Sequence, residues 1–296
     1  MNILTKVQEA AVNYAGFALE SAPKSQRDDR KVVLAAVKND GSALKYASYC
    51  FKDDKEVVLA AVTNDSRALY YAFEHFKDDK EVVLVAVKNY GYALGHVSKR
   101  LKNDKEVVLA AVKNEGYVLE YTSVRLKNDK EVVLAAVKGC GNALHYASDR
   151  LQDDKEVVLT AVKTHGYALD HASKRLKNDK EVVLAAVKNY GYAFGDVSKE
   201  LKCDLDFLKE VFKGCPIKIF ANCHSSVKKN PDIYLPAFRY DCRFAANAFS
   251  LDALLKLDLS PLHAITKQKI YLNFEARSKT KDIFVLANAK KNILLN

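Results

Sequence analysis

The fold is decided by one stretch, Lys105-Glu106-Val107-Val108-Leu109-Ala110-Ala111-Val112-Lys113, and the same nine residues recur at 130–138 and 180–188. Close variants begin at Lys55, Lys80 and Lys155, and the 25-residue spacing holds without insertion from residue 29 to residue 204. Self-similarity at a period of roughly 20–50 residues is typical of repeat proteins, in which each copy packs on its neighbours. The chain of 296 residues is therefore predicted to form an elongated array rather than one ordinary core.

The recurring stretch predicts an α-helix that begins with a capping box. Asn103 is the predicted N-cap, and Glu106 then falls at the third helical position, from which it can reach back to the cap. The six residues Val-Val-Leu-Ala-Ala-Val leave no polar side, so we expect the helix to be buried on all faces.

A glycine follows the helix in most repeats and is predicted to end it in the left-handed conformation. These residues are Gly41, Gly91, Gly116, Gly141, Gly166 and Gly191. Ser66 takes this place in one repeat, and we expect it to strain the turn slightly because a Cβ makes the left-handed conformation costly.

The second half of each repeat has its own apolar period. Ala168, Leu169, Ala172 and Leu176 lie on one face of a helix that would run from residue 167 to residue 177. Two helices of about ten residues joined by a tight turn fit the period. A buried strand followed by a helix, as in a leucine-rich repeat, is the alternative. The alanine pair, the capping signal and the lack of period-2 alternation favour the helix.

We therefore predict an all-α fold, an α-solenoid of 25-residue helical hairpins with degenerate capping repeats at both ends. Residues 1–28 form the worn N-terminal cap, 29–203 the seven regular repeats, and 204–296 degenerate repeats and a helical C-terminal cap.

The repeat Asp-Lys-Glu-Val-Val-Leu-Ala-Ala-Val-Lys-Asn-x-Gly-Tyr-Ala-Leu-x-Tyr-Ala-Ser-x-x-Leu-Lys resembles the family known as domain of unknown function 4116, over about residues 29–203. The resemblance implies an α-helical array with no known activity, from intracellular bacteria of amoebae, giant viruses or protists. It carries no catalytic residues over. The repeat is also similar, more faintly, to leucine-rich variant repeats, which pair an α-helix with a shorter helix.

Charge and composition narrow the classes of partner. Residues 204–296 hold 15 Lys and Arg against 9 Asp and Glu, so most of the net charge of +10 lies outside the nearly balanced repeats. Nucleic acid is therefore an alternative partner through that basic region.

No apolar run is long enough for a membrane span, and the start lacks a classical secretory signal. We expect a cytoplasmic or other intracellular location, including a virion or a host-cell cytoplasm.

The cysteines at 50, 140, 203, 215, 223 and 242 are expected to be reduced, and their spacing with His224 fits no common zinc finger. No metal site, cofactor or catalytic residue is predicted. We expect no enzymatic activity, and the oligomeric state stays open.

Three residue positions of the second segment become rows when the repeats stack. The candidate partner-binding residues in these rows are Tyr92, Tyr117, Tyr167, Tyr192, Tyr121, Tyr146, Arg100, Arg125, Arg150 and Arg175. Tyrosine and arginine dominate the energetics of protein interfaces. The rows are interpreted either as rings packed between repeats with their hydroxyls in water, as a surface for a protein partner, or as a nucleic-acid surface.

The sequence thus predicts a non-enzymatic repeat scaffold that mediates protein–protein interaction. The alternatives are a structural or packaging component, for example of a virus particle, with a basic C-terminal region, and a host-directed effector of an intracellular bacterium.

Overall fold

The computed structural model describes residues 16–212, 230–240, 257–278 and 283–295, and every regular element in these ranges is helical. The all-α prediction is confirmed, and the described residues contain no strand. The chain divides into two compact units, Met1–Thr164 and His165–Asn296, and each is described by itself. The boundaries predicted from the repeat pattern, at 28 and 203, stay a prediction.

Each repeat opens with an α-helix of ten residues. These helices are Arg30–Asn39, Lys55–Asn64, Lys80–Asn89, Lys105–Asn114, Lys130–Gly139 and Lys155–Thr164 in the first unit, and Lys180–Asn189 in the second. The N-cap is Asp104 and not the predicted Asn103, because the Asp104 carboxylate accepts the backbone N–H groups of Glu106 at 3.0 Å and Val107 at 3.2 Å. Glu106 is therefore the second helical residue, and its carboxylate pairs with Lys80.

Each α-helix buries one face. Val107, Val108, Ala111 and Val112 are fully buried, whereas the intervening Leu109 and Ala110 are only half-buried. The prediction of burial on all faces is wrong for a geometric reason. Neighbouring α-helices cover the two sides and the second layer covers the inner face, so a strip of every helix faces solvent.

The second layer consists of short 3-10 helices rather than α-helices. They are Gly16–Ser21, Gly41–Tyr46, Ser66–Tyr70, Gly91–His96, Gly116–Tyr121 and Gly141–Tyr146 in the first unit, and Gly166–His171 and Gly191–Asp196 in the second. Gly91, Leu94 and Val97 are buried at intervals of three, the period of a 3-10 helix. The fold thus pairs a long and a short helix in each repeat.

The predicted second α-helix from residue 167 to residue 177 does not form, although Ala168, Leu169, Ala172 and Leu176 are buried as expected. The chain is extended at Ala172, and the hydroxyl of Ser173 then accepts the Leu176 N–H at 3.2 Å. Serine favours such caps over helix interiors, so it starts a new turn.

These connecting turns are Lys24–Arg27, Tyr49–Lys52, Glu74–Asp78, Leu101–Asn103, Val124–Lys127 and Asp149–Gln152 in the first unit, and Leu176–Asn178 and Leu201–Cys203 in the second.

The repeat glycines are required by a close approach and not by a left-handed backbone. None of Gly41, Gly91, Gly116 and Gly166 has a left-handed φ, so the prediction is wrong for these four glycines. A Cβ at Gly116 would lie 2.4 Å from the carbonyl oxygen of Ala136 in the next repeat, far inside van der Waals contact. Glycine therefore lets the 3-10 helix of one repeat touch the α-helix of the following one.

The second unit continues the repeat frame beyond residue 203. Helix Leu205–Phe212 packs on Lys180–Asn189 and on Pro231–Tyr240, and it buries Phe207, Leu208 and Val211. Helices Ala264–Ser278 and Ile283–Lys290 and the π-helical turn Lys291–Leu295 pack together further along the unit. Most of the predicted N-terminal cap, residues 1–15, lies outside the described residues.

Candidate interaction surface

A cation at the start of several α-helices joins the helix to the next repeat, and we call this series the cation ladder. Lys80 Nζ lies 2.8 Å from the carboxylates of both Asp104 and Glu106. The same contacts are made by Arg30 with Asp54 and Glu56, by Lys55 with Asp79 and Glu81, by Lys105 with Asp129 and Glu131, and by Lys130 with Asp154 and Glu156. Because the aspartate also caps its own helix, the ladder ties each helix N-terminus to the preceding repeat.

The ladder shifts the protonation of both partners. Burial acts to raise the pKa of Asp104, but hydrogen bonds from Lys80 and from the backbone N–H of Val107 outweigh it, so this pKa lies below its ordinary value. The pKa of Lys80 is raised by its hydrogen bonds to Asp104 and Glu106. The charged forms of both groups are therefore favoured in the folded chain.

An asparagine at the end of each of several α-helices reaches back to the preceding repeat, and we call this contact the asparagine clasp. Asn64 Nδ2 donates to the Lys38 carbonyl at 2.9 Å, and Asn64 Oδ1 accepts the Gly41 N–H at 2.7 Å. Asn114 donates to the Lys88 carbonyl at 2.9 Å. These bonds satisfy carbonyls at a helix C-terminus that have no intrahelical partner.

The predicted arginine row makes a third contact between repeats, the arginine clasp. Arg125 donates from Nε to the Asn103 side chain at 2.9 Å and from Nη2 to the Asn103 carbonyl at 2.6 Å. Arg150 does the same with Asn128, and Arg100 with Asp78. The arginines are thus engaged within the molecule. A role of Arg100, Arg125, Arg150 and Arg175 in partner binding stays a prediction.

A serine two residues before each of these arginines adds hydrogen bonds to the arginine clasp. Ser123 Oγ donates to Asn103 Oδ1 at 2.6 Å, and the Ser123 N–H donates to the Lys102 carbonyl at 3.1 Å. Ser148 makes the equivalent bonds with Asn128 and Lys127. Serine at this repeat position therefore joins neighbouring repeats by hydrogen bonds.

The tyrosine rows divide into half-buried and exposed side chains. Tyr92 and Tyr146 are half-buried, and burial raises the pKa of both, helped by Glu115 and Glu120 respectively. Tyr117, Tyr121, Tyr167 and Tyr192 are exposed, the last two at 51%. The ring of Tyr117 meets that of Tyr146 in the next repeat edge to face, with centroids 6.4 Å apart. Packing between repeats therefore accounts for some of these rings and leaves others open to solvent.

Exposed aromatic residues outside the predicted rows are Tyr49, Tyr70, Tyr90 and Tyr190. Tyr90 and Tyr190 directly precede the repeat glycine, a position that varies widely among the copies. In the sequence, these two tyrosines are marked by variation between copies at their repeat position. The predicted rows are marked by the opposite property, the recurrence of tyrosine and arginine.

The described residues hold no group of His, Cys, Asp and Glu arranged to bind a metal ion, and Cys215, Cys223, His224 and Cys242 lie outside them. No helix among the described residues combines the length and apolarity that a bilayer crossing needs.

A known family model matches most of the repeat region. The sequence model of a domain of unknown function, DUF4116, matches residues 7–52, 29–77, 79–127, 104–152, 129–177 and 154–202. These overlapping matches together cover about two thirds of the chain. No curated protein and no solved structure matches it.

Proposed function

The chain belongs to the DUF4116 family, whose description assigns no activity, and from that premise we propose that it is a non-enzymatic repeat scaffold for protein–protein interaction. The observation that supports the proposal is the set of exposed tyrosines on and beside the 3-10 helices, represented by Tyr117, Tyr167 and Tyr192. Tyrosine is enriched in protein interfaces because one rigid ring supplies both apolar area and a hydroxyl.

The two helical layers differ in how much their residues vary between copies, and this difference agrees with the proposed function. The ladder and the asparagine clasp use residues that recur in most copies, and they hold the stack together. The positions around the 3-10 helices differ from copy to copy, as Arg67, Tyr92 and Asn142 show at one of them. Specificity for a partner would therefore come from the 3-10 side.

The proposal is tested by cross-linked capture from the cells that make the protein. The test variant changes Tyr117, Tyr167 and Tyr192 to Ser. The matched control changes three exposed lysines of the outer helix face, Lys88, Lys113 and Lys138, to Ser. We expect proteins that are captured reproducibly by the wild type and the lysine variant to be lost from the tyrosine variant. Unchanged capture by the tyrosine variant would contradict the proposal.

Arginine substitutions are a poorer test of the same surface. Arg100, Arg125 and Arg150 each hold the preceding repeat, so their replacement by Glu changes stability together with any contact to a partner. Such a variant is informative only when its unfolding midpoint is measured beside its capture.

A structural or packaging role is the second candidate, and the charge of residues 204–296 favours it. Their net charge of +6 would attract nucleic acid or an acidic protein, inside a virus particle or a host-cell cytoplasm. A host-directed bacterial effector would use the same positive charge to bind nucleic acid or an acidic protein. Binding of single-stranded RNA should then fall steeply with salt and disappear in a variant that ends at residue 212. A flat salt response counts against this role.

A further inference from the structure

One junction between repeats departs from the regular pattern. At Gly41 and Gly116 a Cβ would lie 2.3 Å and 2.4 Å from a carbonyl oxygen of the next repeat, so only glycine allows that approach. Ser66 stands at the equivalent position and carries a Cβ. The chain that faces Ser66 must therefore lie farther away than it does at the glycine junctions.

A cavity of about 370 Å³ occupies this junction. Its side chains include Ser66, Arg67, Tyr70, Tyr71, Tyr90 and His96, which come from the two adjoining repeats. The volume lies within the range of roughly 300–1,000 Å³ that is usual for small-molecule sites. The loss of one glycine thus coincides with an aromatic cavity of ligand size.

The side-chain hydroxyl of Ser66 adds no hydrogen bond to this junction. The residue is only 5% exposed, and its hydroxyl is buried without a hydrogen-bond partner. A buried hydroxyl without a partner costs stability. A residue that departs from the repeat pattern and costs stability is expected at a functional site. Ser66 is such a residue, and this is an independent reason to assign a function to the cavity.

The chemistry of the walls selects a class of ligand. Tyr70 meets the rings of Tyr71 and His96 edge to face, with centroids 5.6 Å and 5.9 Å away. The nearby carboxylate of Asp65 is already held by Arg67, at 3.0 Å from its Nη2. Arg67 offers only donors, and the tyrosine hydroxyls and His96 can also donate, so a ligand with acceptors on its edge suits these walls.

We propose that this cavity binds a planar heteroaromatic ring with hydrogen-bond acceptors on its edge, the chemistry of a purine base. Such rings stack on tyrosine and are held in place by donors at their edges. The site does not depend on the scaffold function, because it is formed at one junction between repeats and uses none of the exposed Tyr117, Tyr167 and Tyr192.

The repeats supply a matched control for the test. Tyr190 occupies the same repeat position as Tyr90, is similarly exposed at 40% against 43%, and lies the same distance from a second tyrosine, 5.5 Å against 5.6 Å. The repeat before Tyr190 has Gly166 where the repeat before Tyr90 has Ser66. Any difference between the two substitutions therefore reports the cavity.

The experiment measures binding of adenosine and guanosine by calorimetry, with tetramethylammonium as a cationic counter-probe. We expect at least one nucleoside to bind the wild type. Tyr90→Ala should weaken that binding at least tenfold, and Tyr190→Ala should leave it unchanged. Ser66→Gly should close the junction, abolish binding and raise the melting temperature, so that unfolding cannot explain the loss.

Three outcomes overturn the proposal. The first is no binding of either nucleoside at millimolar concentration, and the second is binding of tetramethylammonium alone. The third is nucleoside binding that survives Ser66→Gly or falls equally in Tyr90→Ala and Tyr190→Ala.

Discussion

At the scale of single residues, two glycines of neighbouring repeats have opposite roles. A Cβ at Gly116 would meet the carbonyl oxygen of Ala136 at 2.4 Å, whereas a Cβ at Gly139 meets nothing within 4 Å. Gly139 is the last residue of an α-helix, where glycine is a poor helix former. The same substitution is therefore expected to change stability in opposite directions.

We predict that Gly116→Ala destabilises the protein by about 1–3 kcal/mol through overpacking. Gly139→Ala should stabilise it by about 0.5–1 kcal/mol through helix propensity. Urea unfolding followed by circular dichroism measures both. Equal effects of the two substitutions would show that close approach does not explain the repeat glycines.

The asparagine clasp is a second residue-scale feature with a measurable contribution. Asn64→Ala removes the bond to the Lys38 carbonyl and the bond from the Gly41 N–H. Each such bond contributes about 0.5–1.5 kcal/mol, so we predict a loss of about 1–3 kcal/mol in the free energy of unfolding. Lys138→Ala is the control on an exposed helix end. A loss of the same size in the control would refute the clasp.

At the scale of the element, the cation ladder makes the helix N-termini sensitive to acid. The pKa values of Asp54, Asp79, Asp104, Asp129 and Asp154 all lie below their ordinary value, where hydrogen bonds from the paired cation and from backbone N–H groups outweigh burial. Their contribution to stability is thus present above the unfolded pKa of about 4 and is lost as the pH falls through the folded values.

We predict that the unfolding midpoint in urea is flat near neutral pH and falls below about pH 5. Lys80→Met removes one cause of the lowered pKa of Asp104, so its stability should depend less on pH between about pH 5 and pH 3. Lys113→Met on the exposed helix face is the control and should keep the wild-type dependence. Identical pH profiles of all three proteins would contradict the ladder.

The first helix of each repeat could be predicted from the sequence, whereas its exposed strip and the 3-10 type of the second helix could not. The sequence shows apolar residues at helical spacing, and the structure buries them, namely Val107, Val108, Ala111 and Val112. The change to a 3-10 helix goes with a contact 20 residues away, between Gly116 and Ala136, and with the cap that Ser123 provides for Leu126. One repeat read alone contains Ser123 but lacks Ala136, which belongs to the next repeat.

The candidate surface was harder to predict for the same reason. A recurring arginine looks the same in sequence whether it awaits a partner or holds Asn103 of the preceding repeat. Residues that recur in most copies are those that the stacking of repeats requires, because every junction between neighbouring repeats must form. Residues that serve one junction, such as Ser66 and Tyr70, stand out only as exceptions to the pattern.

At the scale of the whole molecule, the regular array is expected to end at residue 212 and not at residue 203. Helix Leu205–Phe212 keeps the repeat frame in the second unit, and Lys180 pairs with its N-terminal Asp204 at 2.7 Å. Phe207, Leu208 and Val211 are buried, so removal of this helix uncovers the apolar side of Lys180–Asn189.

We therefore predict that a variant ending at residue 203 melts at a lower temperature than one ending at residue 212. Three buried side chains at about 1.5–3 kcal/mol each give an expected difference of roughly 5 kcal/mol. Both variants lose the Lys209–Asp232 pair and the contacts of Pro231–Tyr240, so their comparison isolates one helix. Leu208→Asp in the full chain is the matched test without truncation. Equal melting of the two truncated proteins would place residues 204–212 with the basic tail, and the salt-dependent binding expected of that tail would then have to be measured from residue 204 onward.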